Sequence, residues 1–321
     1  MSTMRAMTFS GAGGPEVLQV GRVPRPVRAN SEVLVKVVAA GVNPIDAKTR
    51  AGRGAYGAIG SFPAVLGNDF SGIVVEAPYE AHALQPGTEV YGMGMVPRMS
   101  GAYAEYLSVT DLSVIRKPST LSHVEAAGVP LAALTAWGMV VETGKAHEGQ
   151  RMLIHAGSGG VGHFAVQFAS YFGAHVIATG STRNLGWLRE LGAREVVDYT
   201  SDRFEDVVDQ VDVVIDLIGN VADDTATRSL KVVRPGGLIV NGPTGSWPTM
   251  AEEASAAGVR ATGYRVAPDG STLAVISRLL ESGDVRVYVD GVYDLLDAGD
   301  AHRALEGGHT RGKLVLKVCD G

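Results

Sequence analysis

The middle of the chain alternates short, continuously apolar runs with longer stretches whose apolar positions recur every three or four residues. The runs Met152–His155, His175–Thr179, Glu195–Val197, Val213–Asp216 and Leu238–Val240 read as buried strands. Between them, a segment ending at Phe172 and the segments Leu185–Leu191, Arg203–Gln210 and Asp223–Leu230 carry helical spacing. Apolar strands joined by helical crossovers predict a doubly wound parallel sheet. The N-terminal pattern is different. Ala6–Phe9, Val17–Val20, Val33–Val38, Leu66–Glu76, Glu89–Gly92 and Gly101–Val109 are short strand-like runs punctuated by Gly and Pro, which predicts a small, partly open β-barrel. Ala39–Arg50 leaves the third run through Gly41 and Pro44 as a loop or a short helix, and Gly52–Gly60 is a glycine-rich loop that holds Tyr56. Ser122 followed by Glu125 is a capping-box signal, taken as a domain boundary. From about Tyr264 the chain returns to the first domain through a helix over Thr272–Ser282, a strand over Val285–Val289 and a last strand over Lys313–Val318. The expected division is therefore 1-122 and 264-321 for the barrel domain and 123-263 for the sheet domain.

Composition narrows this picture little. The 321 residues are 45% hydrophobic, enough for two cored domains. A net charge of -6 without a basic cluster makes a nucleic-acid partner unexpected. No apolar run approaches the roughly 20 residues of a membrane span, and Met1–Arg5 is not followed by an apolar stretch, so a cytoplasmic location is expected. The single cysteine, Cys319, excludes an intrachain disulfide and a multi-cysteine zinc site.

The chemistry begins at Gly157-Ser158-Gly159-Gly160-Val161-Gly162, which fits G-x-G-x-x-G. With 42 glycines in the chain such a spacing carries little alone. Here it follows an apolar strand and precedes a helical run with Phe164, Val166, Phe168 and Ala169 on its apolar positions, the context of a dinucleotide pyrophosphate turn. About 20 residues on, where an NAD site carries Asp or Glu, the strand ends Thr179-Gly180-Ser181-Thr182-Arg183. Ser181 can donate a hydrogen bond to a 2′-phosphate and Arg183 can pair with it, which favours NADPH; a solvated surface arginine is the alternative. Asp216-Leu217-Ile218-Gly219 and Asn241-Gly242 close later strands, and ligands of parallel sheets sit at such carboxyl ends, so Leu217, Gly219, Asn241 and Gly242 are expected at the cofactor.

Six ordered blocks together closely resemble the medium-chain dehydrogenase/reductase superfamily, in its zinc-free, zeta-crystallin-like quinone oxidoreductase branch. They are Ala39–Asp46, Gly101–Tyr106, Pro130–Trp137, Ala156–Gly162, Leu191–Ala193 and Arg311–Lys313, and the match spans nearly the whole chain. The resemblance implies a GroES-like catalytic domain with an inserted Rossmann domain. It implies NADPH-dependent reduction of quinones or α,β-unsaturated carbonyls and a homodimer formed through the sheet edge around Leu238–Val240. A pathway-specific enoyl reductase, or a non-catalytic protein that binds NADPH or RNA, are the alternatives. Zinc alcohol dehydrogenases of the same superfamily align their first cysteine ligand with Asn43, a His-Glu pair with Asn68-Asp69 and a further cysteine near Leu131, while their proton-relay hydroxyl aligns with Ile45. That donor set does not suit zinc, so no metal is expected.

By the same resemblance Asn43, Tyr56 and Thr135 are candidate catalytic residues. Asn43 would meet ribose or a substrate carbonyl, unless it only forms an Asx turn before Pro44. Thr135 would flank the nicotinamide, unless it is a helix-interior threonine. Tyr56 would be a substrate contact, although its spacing from Gly52 departs from the family's. Ala156, Tyr199, Tyr264, Arg311 and Lys313 join the glycine turn, Ser181, Arg183, Asn43 and Thr135 as cofactor residues. Asp46 with Lys48 reads as a turn salt bridge or a proton-transfer pair. His155 reads as packed within its strand; His123, His147, His163, His302 and His309 show no pairing pattern and read as surface.

Overall fold

The computed structural model describes residues 2–320 except 97, 99 and 222. It forms two compact units, one built from the chain up to Leu134 together with the chain from Ala267 onward, the other from Thr135–Val266.

The first unit begins with β1 (Thr3–Phe9), β2 (Gln19–Pro24), β3 (Glu32–Val42), α1 (Pro44–Arg50), β4 (Ala64–Val65), β5 (Asp69–Glu76), β6 (Glu89–Met93), β7 (Tyr106–Thr110) and β8 (Val114–Arg116). Next come α2 (His123–Ala127) and α3 (Pro130–Trp137). The second unit contributes β9 (Arg151–Ile154), α4 (Gly162–Tyr171), β10 (His175–Gly180), α5 (Leu185–Glu190), β11 (Glu195–Asp198), α6 (Phe204–Val207), β12 (Val211–Asp216), α7 (Thr225–Ser229), β13 (Val233–Asn241), α8 (Met250–Ala256) and β14 (Arg260–Gly263). The chain then returns as α9 (Gly270–Ser282), β15 (Val289–Asp294), α10 (Ala298–Glu306) and β16 (Lys313–Lys317).

In the second unit the strand order is β11-β10-β9-β12-β13-β14 and every pairing is parallel, the doubly wound dinucleotide-binding order. Leu153, Ile177, Val214 and Ile239 on its strands pack with Phe204 and Trp247 into one core. Burying each of these aliphatic side chains stabilises the unit by about 1.5–3 kcal/mol. The first unit has a three-stranded sheet, β2-β1-β4, and a larger one, β15-β16-β3-β5-β6-β8, with β7 on β3. Register shifts along β3, near Val35 and between Val37 and Ala39, bend the strand so that it pairs with β5, β7 and β16. This gives the GroES-like barrel, with Phe9, Val35, Val37, Phe70, Leu107 and Leu314 inside.

Several boundaries differ from the pattern reading. Val17–Val20 is not one strand: Pro15–Val17 is a 3-10 turn that Pro15 starts, and β2 opens at Gln19. Of Gly101–Val109 only Tyr106 onward lies in a strand, with Ala104 making an isolated bridge to Ala6. The Ala39–Arg50 segment continues β3 to Val42 and becomes α1 at Pro44. The strand expected over Val285–Val289 starts at Val289. Helices α8 and α10 and strand β14 were not visible in the pattern. Because β14 pairs with β13, Leu238–Val240 lies inside the sheet, and the edge strand is Arg260–Gly263. The capping box at Ser122 is present, but α2 packs on β3 and β5, and the units divide inside α3, between Leu134 and Thr135. No described helix is long and apolar enough to cross a membrane.

Candidate active site

In the second unit the glycine turn links β9 to α4. Its first residue, Ala156, is left-handed, with φ 49°. The turn is tied to β10 by Gly157 N–H donating to Thr179 O at 3.0 Å and Ala156 N–H donating to Thr179 Oγ1 at 3.2 Å. A Cβ on Gly162 would collide with the Ala156 carbonyl and the Gly157 backbone, so only glycine brings α4 this close to the turn. The first turn of α4 leaves backbone N–H groups and the positive end of the helix dipole for an anion.

Ser158 and Ser181 are joined by a residue the sequence reading passed over. The side-chain amide of Asn184, itself buried, donates to Ser158 Oγ at 3.0 Å and to Ser181 Oγ at 3.2 Å. Each serine oxygen therefore accepts from Asn184, and its own proton is left to donate. Arg183 and Tyr199 are exposed beside this pair of segments. The neighbouring carboxylate, Asp198, accepts from the Thr182 and Thr200 hydroxyls at 2.5 and 2.6 Å and from Thr200 N–H at 2.9 Å. The Thr182 hydroxyl leads the contacts that hold it below the ordinary aspartate range.

At the ends of β12 and β13, buried Asp216 accepts from Ile218 N–H and Gly219 N–H at 2.9 Å and from Asn241 Nδ2 at 2.7 Å. Ser246 Oγ donates to Asn241 Oδ1 at 3.3 Å. These bonds bring Leu217, Gly219, Asn241 and Gly242 together at the carboxyl edge of the sheet. Tyr264 lies over Gly138, where a Cβ would strike its hydroxyl, and its N–H donates to Asn241 O at 2.9 Å. Thr135 is half-buried on α3. His155 is wholly buried between Thr179 and Ser229, and burial holds it down at about 4, a packed neutral imidazole.

The first unit contains a buried polar cluster. Asp69 at the start of β5 accepts from Asn43 Nδ2 at 2.9 Å and from Leu131 N–H at 2.8 Å, the latter at the N-terminal turn of α3. The Lys313 ammonium lies 3.7 Å from Asp69 and donates to Val42 O at 3.0 Å and to Asn43 Oδ1. Asp46 accepts from Asn43 N–H at 2.9 Å, Tyr103 Oη at 3.3 Å and Asn68 Nδ2 at 3.5 Å. Tyr103 Oη lies 3.2 Å from His302 Nε2. Burial pushes the Asp46 carboxyl up to about 7, against the Asn43 N–H. Burial likewise raises Asp69 and lowers Lys313, and each of their charges draws the other back toward ionisation. His302 is held down to about 3 by burial, assisted by the charge of Arg50.

This cluster changes several expectations. Asn43 is 1% exposed and both ends of its amide are bonded within the unit, so its side chain serves the cluster first. Lys313, expected at the cofactor, is 3% exposed and turned inward. Asp46 and Lys48 are not a turn pair: Asp46 is buried and Lys48 exposed. His163 and His302, read as surface, are wholly buried, and His123 has its Nδ1 2.8 Å from Ser71 Oγ. The helical spacing of His302 with Ala298, Ala301 and Leu305 was the available signal. Tyr56 starts a 3-10 turn with its ring 5.9 Å from that of Phe62 and packs partly on the barrel core. The Arg311 N–H donates to Asp290 Oδ2 at 3.0 Å. No group of three or more metal-binding side chains occurs among the described residues.

Residues 29–119 match the model described as "Alcohol dehydrogenase GroES-like domain", and residues 191–316 the one described as "Zinc-binding dehydrogenase". The NADPH-dependent alkenal/one oxidoreductase of Arabidopsis thaliana, a chloroplastic protein, is 35% identical over 326 residues, covering 98% of this chain and 79% of that protein. The quinone oxidoreductase of Coxiella burnetii superposes with a TM-score of 0.94 at 36% identity, over 99% of this chain and 100% of that one. The Escherichia coli quinone oxidoreductase complexed with NADPH gives 0.87 at 27% identity, over 99% and 100%.

Proposed function

Because the chain belongs to the medium-chain dehydrogenase/reductase superfamily, among its quinone oxidoreductases and alkenal/one reductases, we propose that it is an NADPH-dependent enzyme that reduces quinones or α,β-unsaturated carbonyls without zinc. One observation carries the zinc-free part. The positions that align with the ligands of zinc relatives hold Asn43, Asn68, Asp69 and Leu131, and here Asn43, Asp69 and the Leu131 N–H are bonded to one another around the Lys313 ammonium. A carboxylate with amide and ammonium partners offers neither thiolate nor imidazole to zinc.

NADPH fits the second unit. The Gly162 cradle, which a Cβ would fill, brings the helix end up to a pyrophosphate, and Gly157–Val161 supply the surrounding backbone. Ser158 and Ser181, held by Asn184, present two hydroxyl donors for the 2′-phosphate, with Arg183 and Tyr199 exposed beside them. Leu217, Gly219, Asn241 and Gly242 would line the ribose, and Thr135 and Tyr264 the nicotinamide. When bound, the cofactor supplies the hydride. Reduction of an activated C=C bond asks the protein for hydrogen bonds to an enolate oxygen rather than for a Lewis acid. Tyr56 belongs to this reading as a substrate contact and Arg311 as a cofactor contact. So do a cytoplasmic location, which suits a chain with one cysteine, and a homodimer through the β14 edge.

The test is consumption of NADPH, followed at 340 nm, with a panel of quinones and enones; no turnover with any of them would refute the activity. Cofactor choice has its own test. Ser181→Asp places a carboxylate where the 2′-phosphate would lie and is expected to raise the Kd for NADPH about tenfold or more while leaving that for NADH within a few-fold. Equal effects on both, measured by calorimetric titration, would move the phosphate site elsewhere.

A further inference from the structure

Lys313 opens β16, directly after a left-handed Gly312, and β16 runs antiparallel to β3 with Leu314 opposite Val42. The side chain is therefore carried to the end of β3, where the chain leaves the sheet for α1. An ammonium has three protons. Val42 O and Asn43 Oδ1 accept two of them, and the Asp69 carboxylate stands 3.7 Å away as an ion-pair partner. Asp69 also takes the Asn43 Nδ2 and Leu131 N–H protons, so the end of β3 and the starts of β5, α3 and β16 meet at one cation. The core around this cation does not require it, since apolar side chains of the same volume commonly serve stability as well as a buried pair does. What an apolar side chain lacks is the means to orient a carbonyl, an amide and a carboxylate together.

We propose that Lys313 is a positioning residue that acts through Asn43: its ammonium locks the Val42 carbonyl and the Asn43 amide against Asp69, and it takes no part in holding the cofactor. This rests on the proposed NADPH-dependent reduction, with the Asn43 turn meeting ribose or the substrate carbonyl as the family resemblance implies. Lys313→Met keeps an unbranched side chain out to the ε position and removes the cation. With NADPH and a quinone both saturating, kcat is expected to fall about 100-fold, the scale of a reacting group misplaced by about an ångström. The Kd for NADPH, measured by calorimetry without acceptor, stays within twofold, and hydrogen exchange quickens at Asn43 and Asp46. A Kd raised tenfold or more with kcat retained would overturn the proposal and make Lys313 a cofactor ligand. A lowered Tm with kcat, Kd and exchange unchanged would overturn it too, leaving Lys313 a matter of packing. If Lys313→Met does not fold, Asp69→Asn/Lys313→Met removes both charges and is read for the same split. Wild-type protein that turns over no acceptor would refute the proposed activity instead, and the exchange and Kd measurements would still decide the role of Lys313.

Discussion

Replacing Gly162 with alanine is expected to weaken NADPH binding about 100-fold or more, measured by calorimetric titration of the purified variant. The new Cβ meets backbone, the Ala156 carbonyl and the Gly157 Cα, and no side-chain rotation relieves it. Either α4 withdraws from the turn or the turn opens, and both move the helix N-terminus away from the phosphates it would hold. A forced shift of this kind costs about 3 kcal/mol at the upper end of overpacking, which is two decades in affinity. Gly159 provides the contrast. A Cβ there comes only to 3.4 Å from Ala156 O, so Gly159→Ala should leave the fold intact and disturb binding less. Equal Kd values for wild type and Gly162→Ala would remove the glycine turn from the cofactor site.

Asp69→Asn is expected to destabilise the first unit by about 3–5 kcal/mol, because it removes the nearer and stronger of the two carboxylates, Asp69 and Asp46, that act on the buried Lys313 ammonium. Chemical denaturation measures this, and pH supplies the signature. Burial already lowers Lys313 below the value it has in the unfolded chain, and Asp69 opposes that fall. In Asp69→Asn the native pKa drops further, so between it and about 10.4 the unfolded chain binds the proton more often than the native protein does. The variant should therefore gain stability as pH rises through that window, more steeply than wild type. Asp69→Asn/Lys313→Met should recover much of the loss at neutral pH. A variant as stable as wild type at every pH would mean that the pair is not the cluster's electrostatic centre.

The two units differed in how much of them the sequence disclosed. The second was legible because its signals are local: each buried strand contains an apolar run, and glycines such as Gly157 and Gly162 stand at the turns they make possible. Its omissions, α8 and β14, come where the alternation weakens, Met250–Ala256 carrying two glutamates and Arg260–Gly263 lying at the sheet edge. The cluster of the first unit was illegible for the opposite reason. Asn43, Asp46, Asn68, Asp69, Tyr103, Leu131, His302 and Lys313 lie up to 270 residues apart, as for Lys313 and Asn43, and they meet only in the folded unit, where the β16–β3–β5 pairing sets Asn43, Asp69 and Lys313 side by side and α1, α3 and α10 bring Asp46, Leu131 and His302. The resemblance pointed at Asn43 and Lys313 separately; that one binds the other follows from strand register. Likewise Asn184 carries no motif, and its place behind Ser158 and Ser181 comes from the turn that Ser181 opens after β10.

The most direct test of metal-free hydride delivery is kcat/KM for NADPH and a quinone or enone substrate, measured on protein dialysed exhaustively against chelator and checked for residual metal. The Lys313-centred cluster predicts an unchanged kcat/KM, within about twofold, and no gain when zinc is returned. Activity that disappears on chelation and comes back with zinc would contradict it.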